Sequence, residues 1–539
     1  MNKLLFKLNS KLIFRSFIFY LFVFLIFGGY VFFSFQLLSD SYYSNYVVFF
    51  DTLTFMDTVM YVLLFSVAVF FSQQKNTLEN ICFVPRSKSV GVKFLSVIVC
   101  SSTICLIPFA FMMISGIAEK VGTLFVLLSV VYGVSRWLVI ILIAQTFGFL
   151  IGYITNSVYS YLFAIPLTVL NTFLNKYLFR WLFSGDINKM YSFSHYFSSQ
   201  QKFADGMPVE YRGPVVDAEF FVKLFISVFV FLTIYFIIIQ IARKKVTLKA
   251  MSGTLISAAF LCIFSVFYFQ LHPVRYMNEE KLYISGYERQ PYEITSYSGN
   301  ISLKELAEYD IAVGIKRTGN SDSVTLRLDE SLDIKSLEIG GEIAHFEREG
   351  DLLTVRVEDD EFSLRLCCRG RISYVSNANS MNIYTSAVSC ALPPDFAFLP
   401  KIDGDKSQKQ YDLKIKSGNT LISNLDMQKQ GDIYIISDSA STACFFSGFL
   451  TQTEKDGITF YYASCDKLTD HDEIYRIFRE DSKLYFDHEK NEIVEGKWEE
   501  KPKVFIIYYM YGTNAFAVPY DDFVMLHFGF TTQIRGPIC

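Results

Sequence analysis

The sequence predicts an α-helical membrane protein with about seven transmembrane helices, followed by an extracytoplasmic, mainly-β sandwich domain with a short α/β tail. Three observations support this fold class. Of the 539 residues, 52% are hydrophobic, which is more than an ordinary soluble enzyme carries. Residues 1–270 carry 20 Lys and Arg against 10 Asp and Glu, whereas residues 271–539 carry 29 against 43. Short runs that alternate apolar and polar residues follow residue 300 and are typical of half-buried strands.

The last apolar run, Ala250–Leu271, divides the chain. As a helix its 22 uncharged residues reach about 33 Å, enough to cross a hydrocarbon core of roughly 30 Å. The basic residues just before it predict a cytoplasmic loop, so this run delivers the rest of the chain to the outside. The predicted divisions are a transmembrane domain (1–271), a linker (272–300), a β-sandwich domain (301–468) and an α/β segment (469–539).

The apolar runs predict the spans in chain order. Lys3, Lys7, Lys11 and Arg15 precede the first run, which places the amino terminus in the cytoplasm. The predicted spans are Ser16–Leu38, Thr58–Ser72 (with Thr52 as the alternative start), Phe94–Ala118 with a kink at Pro108, Trp137–Ile154, Val158–Asn175, Leu224–Ala242 and Ala250–Leu271.

Two features complete this topology. Asp40, Asp51 and Asp57 are assigned to the turn that precedes the second span, on the outside. Gly122–Ser135 is either an interfacial segment or the start of a long tilted helix. The odd number of spans places residues 272–539 outside the cytoplasmic membrane.

The acidic half predicts short strands first. Val324, Leu326 and Leu328 alternate with polar residues, as do Leu353, Val355 and Val357 and then Phe362, Leu364 and Leu366. Turn-forming residues such as Gly340-Gly341 and Gly350-Asp351 separate the strands, which predicts an antiparallel sandwich. A helix is expected at Asp472–Phe486 and an apolar strand at Lys503–Tyr511.

Cysteine spacing excludes one class of site. The ten Cys form no C-x-x-C pair, which argues against a zinc ribbon or a redox motif. A disulfide between Cys444 and Cys465 is one possibility, because both lie on neighbouring predicted strands. Free buried thiols are the other.

The loop Gln73–Lys93 carries four basic residues and one acid, which predicts a cytoplasmic location. An acidic residue, an apolar pair, Pro and basic residues lead from it into the third span: Glu79, Ile81, Phe83, Pro85, Arg86, Lys88 and Lys93. In this pattern and in its spans, the membrane half resembles permease subunits of ABC exporters of the second type. The resemblance implies a separate ATP-binding subunit as partner, a second permease copy or a paired permease, and a docking surface for the ATPase formed by Leu78, Glu79, Ile81, Phe83, Pro85, Arg86 and Lys88. The chain has no G-x-x-x-x-G-K-[ST] loop of its own.

Roughly residues 300–526 resemble the amino-terminal part of the aminopeptidase N family of zinc peptidases. The resemblance rests on the run from Tyr309 to Val357, on FAFLPKIDG around Pro400, and on YDLKI, SNL and SGFL further on. It implies the saddle-shaped β domain of that family, followed by the opening helix and strands of the peptidase domain. The combined pattern resembles bacterial permease–aminopeptidase fusions.

The zinc chemistry of that second family is missing from the sequence. No H-E-x-x-H occurs, and His488-Glu489-Lys490-Asn491-Glu492 has Glu where the second His belongs. Asp470–Glu473 is either a capped helix start or a metal cluster, and Gly512–Phe516 lacks the family's Met-Glu pair. The chain stops at Cys539, where the catalytic helix is expected. We therefore predict no catalytic residue, no metal site and no bound cofactor.

Polar residues within the predicted spans need a partner or a pathway, because unpaired polar groups are costly in lipid. They are Arg136, Gln145 and Asn171, and helix–helix hydrogen bonding is the alternative to a pathway. Gly148-x-x-x-Gly152 predicts a helix-packing seam. The expected function is that of a permease subunit, and the basic excess beside the spans indicates topology rather than nucleic-acid binding. The alternative is a membrane-anchored, catalytically defective aminopeptidase-like peptide-binding protein, or a truncated peptidase fusion.

Overall fold

The computed structural model describes residues 2–40, 45–74, 85–118, 122–172, 174–198, 218–244, 247–271, 275–277, 290–376, 382–464, 484–487, 492–495, 502–506, 517–520 and 522–526. These residues fall into two compact units. The first is helical and ends before Arg275, and the second is mainly β and begins there. The predictions of long apolar helices and of a mainly-β carboxy-terminal region are confirmed.

Within the described residues, the helical unit is built mainly from apolar helices. Its α-helices are α1 (Asn2–Phe14), α2 (Phe17–Asp40), α3 (Asn45–Gln73), α4 (Arg86–Cys105), α5 (Ile107–Ala118), α6 (Thr123–Thr155), α7 (Ala164–Asn171), α8 (Asn175–Leu182), α9 (Ile187–Phe197), α10 (Ala218–Arg243) and α11 (Leu248–Leu271), with a 3-10 helix at Val158–Phe163.

Within the described residues, five segments are long and apolar enough to cross a membrane. They are Met56–Gln73, Arg86–Ala118, Thr123–Thr155, Phe220–Arg243 and Leu248–Gln270. Two bent helix pairs bring the number to seven when each pair is taken as one span. Those pairs are Lys3–Phe14 with Phe17–Phe32, bent by 66°, and Val158–Asn171 with Asn175–Leu182, bent by 73°.

Two of the predicted helix boundaries change. Gly122–Ser135 is the start of the 33-residue helix α6, which was one of the two expectations for it. Val158–Asn175 is not one straight helix, because the 3-10 turn precedes α7 and the backbone becomes extended at Thr172. At this point side chains donate hydrogen bonds to carbonyls in the last turn of α7. The Thr172 hydroxyl donates to Thr168 O (2.8 Å) and the Asn175 amide donates to Leu170 O (2.9 Å).

The break before Pro108 has the expected cause. Helix α4 ends at Cys105 and α5 begins at Ile107, with Leu106 between them. Proline has no N–H to donate to the carbonyl four residues back, and its ring crowds that carbonyl. The break therefore lies on the amino-terminal side of Pro108, where the helix loses that bond.

The β-rich unit contains several sheets. Its strands are β1 (Arg275–Met277), β2 (Tyr292–Leu303), β3 (Ala307–Arg317), β4 (Ser323–Arg327), β5 (Leu332–Ile339), β6 (Glu342–Ile343), β7 (Phe346–Glu349), β8 (Leu352–Arg356), β9 (Glu361–Gly370), β10 (Ser373–Ser376), β11 (Asn382–Thr385), β12 (Cys390–Leu392), β13 (Lys409–Ser417), β14 (Thr420–Ser423), β15 (Met427–Gln430), β16 (Ile433–Ala440), β17 (Phe445–Gly448), β18 (Leu450–Lys455), β19 (Ile458–Ala463), β20 (Leu484–Asp487), β21 (Glu492–Glu495), β22 (Lys503–Ile506), β23 (Ala517–Pro519) and β24 (Phe523–Leu526).

The largest sheet has the order β15-β16-β13-β2-β3-β9-β5-β6, and a six-stranded sheet has the order β1-β10-β11-β12-β17-β14. The sheets are not purely antiparallel as predicted, since β13 pairs in parallel with β2 and β1 with β10. Apolar residues alternate into the core, as Leu353 and Val355 do. The two sheets contact each other where Leu421 N on β14 donates to the Tyr434 hydroxyl on β16 (3.1 Å).

The predicted helix Asp472–Phe486 is wrong over its last three residues. Leu484–Asp487 forms strand β20, and Phe486 lies opposite Ile493 on β21. Residues 472–483 lie outside the described residues. Aromatic and β-branched residues stabilise each other across a strand pair, and that pairing outweighs the local helical pattern.

Candidate functional site

A charged pair is buried between α3 and α6. Arg136 donates through Nε to Asp57 Oδ2 at 2.7 Å, and a second guanidinium nitrogen contacts the same oxygen. Both side chains are almost fully buried, with 4% and 1% exposed. Sequence reasoning selected Arg136 but assigned Asp57 to an outer turn. The structure corrects that assignment, because Asp57 lies within α3, where it neutralises a charge that would otherwise be costly.

The α3–α6 contact continues along a glycine seam. A Cβ at Gly148 would lie 2.5 Å from Phe65 O, and one at Gly152 would lie 2.9 Å from Val69 Cα. Asp57 on α3 contacts Arg136 on α6, and Val69, further along α3, lies beside Gly152, further along α6. Because the residue numbers of the contacting partners increase in the same direction, the two helices run parallel. Small residues permit this close approach of two helix backbones.

Gln145 lies one turn before Gly148 on α6 and is fully buried. Within the described part of the chain, its amide oxygen and nitrogen have no hydrogen-bond partner. Asn171 differs, because its amide donates to Leu167 O at 2.9 Å within α7. Of the three polar residues predicted for a pathway, Arg136 therefore has an ion partner, Asn171 has a local bond, and Gln145 has neither.

Several polar contacts gather at the carboxy-terminal end of α3. The Gln73 amide donates to Ser157 O (2.8 Å), and the Lys93 ammonium donates to Gln74 O (2.8 Å). Arg243 Nε donates to Ser87 Oγ at 3.3 Å. The two segments that were predicted to form basic cytoplasmic loops therefore meet at one end of the helical unit.

The predicted docking residues are only partly described. Leu78, Glu79, Ile81 and Phe83 lie outside the described residues. Pro85 and Arg86 are exposed, Lys88 is half-buried, and the Arg86 guanidinium lies 5.9 Å from the Tyr153 ring centroid. Arg86 and Lys88 begin α4 rather than forming loop residues ahead of a span that starts at Phe94. Pro85 thus precedes α4, as expected of a residue with a fixed backbone angle.

The segments that the sequence analysis compared with the zinc-peptidase motifs lie almost entirely outside the described residues. His488–Glu492 lies outside the described residues except for Glu492 on β21, and Asp470–Glu473 and Gly512–Phe516 lie outside them entirely. Among the residues that the structure describes, no group of three or more His, Cys, Asp and Glu could hold a metal ion. Cys444 is a buried free thiol, and Cys465 lies outside the described residues.

The β-rich unit contains a cavity of about 240 Å³ that sequence reasoning did not find. Its walls come from β2, from β13, from the residues that follow β16 and from the loop that precedes β13. The lining residues include aromatic and aliphatic side chains together with three lysines and two aspartates: Tyr297, Pro394, Asp395, Phe398, Leu399, Lys401, Ile402, Gly404, Asp405, Lys406, Lys409, Tyr411, Ser441, Thr442 and Ala443.

The charges in this cavity differ in how well they are paired. The Lys409 ammonium donates to Ser407 O (2.8 Å) and Ser441 O (3.1 Å) and lies 3.4 Å from Asp405 Oδ2. The Lys401 ammonium donates to the Pro394 carbonyl. Burial lowers the pKa of the Lys401 amine to about 8, against the weaker opposing effect of Asp395. Lys401 is thus the less stabilised of these two cations.

No family model matches the chain, and no curated protein matches it. Among solved structures, native leukotriene A4 hydrolase from Saccharomyces cerevisiae is similar at a TM-score of 0.30 and 14% identity, over 48% of this chain and 44% of that one. The M1 zinc metallopeptidase from Deinococcus radiodurans is similar at a TM-score of 0.31 and 9% identity, over 47% of this chain and 64% of that one. The chain therefore spans less than two thirds of either protein, and its function has to be argued from its own residues.

Proposed function

We propose that this chain is the permease subunit of an ABC-type transporter, moving a substrate across the cytoplasmic membrane with a separate ATP-hydrolysing subunit. The observation that carries the proposal is the Asp57–Arg136 pair between parallel helices α3 and α6. A simple membrane anchor has no use for charges in its apolar interior, because each is expensive to place there. Buried ionisable residues between packed spans are typical of transport proteins.

The arrangement of basic residues supports an orientation. Arg86 and Arg243 lie at the end of the helical unit that holds the Gln73 and Lys93 contacts. The cytoplasmic side of membrane proteins carries such basic residues. In the proposed topology this end faces the cytoplasm and offers the docking surface for the ATPase. The amino terminus is cytoplasmic and the β-rich unit is extracytoplasmic.

The test is purification of the full chain from its source membranes in nanodiscs, with measurement of ATP hydrolysis by the purified assembly. We expect a nucleotide-binding subunit to co-purify and its hydrolysis rate to change in Arg136→Met. The matched control is Arg180→Met, which removes the same charge from an exposed position on α8. Purification of the chain without ATPase activity, from membranes in which it is intact, would refute the permease role.

The docking surface has its own test. Glu79→Lys combined with Arg86→Glu reverses both charges and should release the ATPase while the protein stays inserted. Lys249→Glu is the control, because it changes one charge in the neighbouring basic segment. An ATPase that still binds and still hydrolyses ATP with the double variant would place its docking surface elsewhere.

A second function is favoured by the cavity of the β-rich unit. In this proposal the chain is a membrane-anchored binding protein whose aminopeptidase-like β domain holds a ligand without hydrolysing it. A cavity with apolar walls and a few convergent polar groups is the usual form of a small-molecule site. The test is ligand binding to the full chain in nanodiscs, combined with an assay for release of amino acids from peptides. Hydrolysis of a peptide with a free amino terminus would refute this second function.

A further inference from the structure

Lys401 in the β-rich unit is a cation with incomplete hydrogen bonding. Its ammonium carries three N–H donors, of which one reaches the Pro394 carbonyl. Within the described part of the chain, it forms no ion pair. Lys409 has three partners in the same cavity, at Ser407, Ser441 and Asp405. Lys401 is half-buried, and beyond the bond to Pro394 its ammonium has two N–H donors available for an anion inside the cavity.

The nearby carboxylates are already engaged. Asp405 accepts from Ile294 N and Ser407 N, both at 2.9 Å, and Asp403 forms a two-bond pair with Arg327 at 3.0 and 2.8 Å. Asp395 accepts from the Tyr520 hydroxyl at 2.5 Å. These bonds hold the carboxylates in place and leave the Lys401 ammonium as an anion-binding group of the cavity.

The remaining walls select for an apolar body. Phe398, Leu399 and Ile402 are buried, and the rings of Tyr297 and Tyr411 stack with centroids 5.2 Å apart. A cavity of about 240 Å³ is smaller than a typical drug site of roughly 300–1,000 Å³. It therefore suits a molecule the size of a single amino-acid side chain with one charged head.

We propose that this cavity binds a small organic monocarboxylate, with its carboxylate on the Lys401 ammonium and its apolar body against Phe398, Leu399 and the two tyrosines. The proposal rests on the second function above, in which the β-rich unit is a binding module. A multiply charged anion fits less well, because Asp395 and Asp405 also line the cavity. An organic cation would be repelled by the positive charges of Lys401, Lys406 and Lys409, which line the cavity.

The test uses isovalerate as probe and isobutylamine as its cationic counterpart. Binding to the full chain in nanodiscs is measured by saturation-transfer NMR and calorimetry. We expect isovalerate to bind and Lys401→Met to weaken it by about tenfold or more, since a hydrogen bond to a charged group is lost. Lys414→Met is the matched control, because Lys414 is exposed on β13 and does not line the cavity, and it should change the affinity by less than about threefold.

A second variant separates loss of binding from loss of folding. Lys401→Arg keeps the positive charge and should retain most of the affinity, with the same circular dichroism and Tm as the parent. The proposal is overturned if no isovalerate binds, if Lys401→Met binds it as well as the parent, or if isobutylamine binds equally. Binding of a leucine tripeptide that is insensitive to Lys401→Met would support the second function while refuting this site.

Discussion

Replacing Arg136 by Met removes the cation that neutralises Asp57 in the middle of the α3–α6 contact. The two side chains are 4% and 1% exposed, and Arg136 places two nitrogens on one carboxylate oxygen. Removing one member of a buried pair leaves an uncompensated charge, which costs about 3–5 kcal/mol. We therefore expect Arg136→Met to lower the free energy of unfolding by about that amount, and Asp57→Asn to have an effect of similar size.

The double variant separates charge pairing from packing. In Asp57→Asn with Arg136→Met no buried charge remains, so the loss should fall to about 1–2 kcal/mol or less. The two single variants and the double variant form a double-mutant cycle. The coupling energy between Asp57 and Arg136 in this cycle should be several kcal/mol, far above the experimental scatter of such measurements. Unfolding can be followed in detergent micelles by titration with sodium dodecyl sulfate, using circular dichroism and the fluorescence of buried Trp137. Arg180→Met serves as the control and should change the stability by about 0.5 kcal/mol or less.

The reasoning would be refuted by two outcomes. Single variants that each lose under about 1 kcal/mol would mean that water or lipid headgroups reach the pair. A coupling energy near zero would mean that the two side chains contribute independently, contrary to the contact between them. If Arg180→Met lowered the free energy of unfolding as much as Arg136→Met does, the cause would be a general effect of removing positive charge from the helical unit.

Three further outcomes are expected. Gly152→Val should cost about 1–3 kcal/mol in the same unfolding assay, because its side chain would overlap α3, while Gly28→Val, with open space around it, should cost clearly less. The affinity for isovalerate should fall about tenfold between pH 7 and pH 9, because the pKa of Lys401 is lowered to about 8 and the cation that binds is lost above it, whereas Lys401→Arg should show a flat profile. Protease added to intact spheroplasts should cut beyond residue 275, and full protection there would reverse the proposed topology.

The helices could be predicted because an apolar run long enough to cross a bilayer has few other folded forms. Ala250–Leu271 was predicted as a span, and α11 covers Leu248–Leu271. Sequence reasoning failed where helices break. One span was predicted from Val158 to Asn175, because apolarity alone does not show where a helix ends. The bonds that end α7 come from the Thr172 hydroxyl and the Asn175 amide.

The candidate sites were harder to predict because their members are distant in sequence. Arg136 stood out as a charge in an apolar run, but 79 residues separate it from Asp57. Asp57 lies near the end of an apolar run, so the pattern placed it at a turn, whereas pairing allows it to lie inside the helix. The cavity depends on the parallel pairing of β13 with β2, which sets Tyr411 beside Tyr297. No local sequence pattern predicts that pairing. The segment with Lys401, Lys406 and Lys409 has the composition of an ordinary solvated loop, so it did not indicate a cavity.

The α3–α6 contact also limits how the proposed permease could move. The ion pair joins the helices near their middle, and the glycine seam brings their backbones together toward their carboxy-terminal ends. Sliding one helix past the other would separate Arg136 from Asp57 and drive Gly152 against a different turn of α3, and both changes are costly. The two helices should therefore move as one body during transport, and cross-links between them should leave the ATP hydrolysis of the assembly intact. A cysteine pair at Ser72 and Gly152 tests this, with the reduced double variant as the baseline because a Cβ at Gly152 itself crowds α3. Loss of hydrolysis on oxidation relative to that baseline, restored by reduction, would show that α3 and α6 must separate.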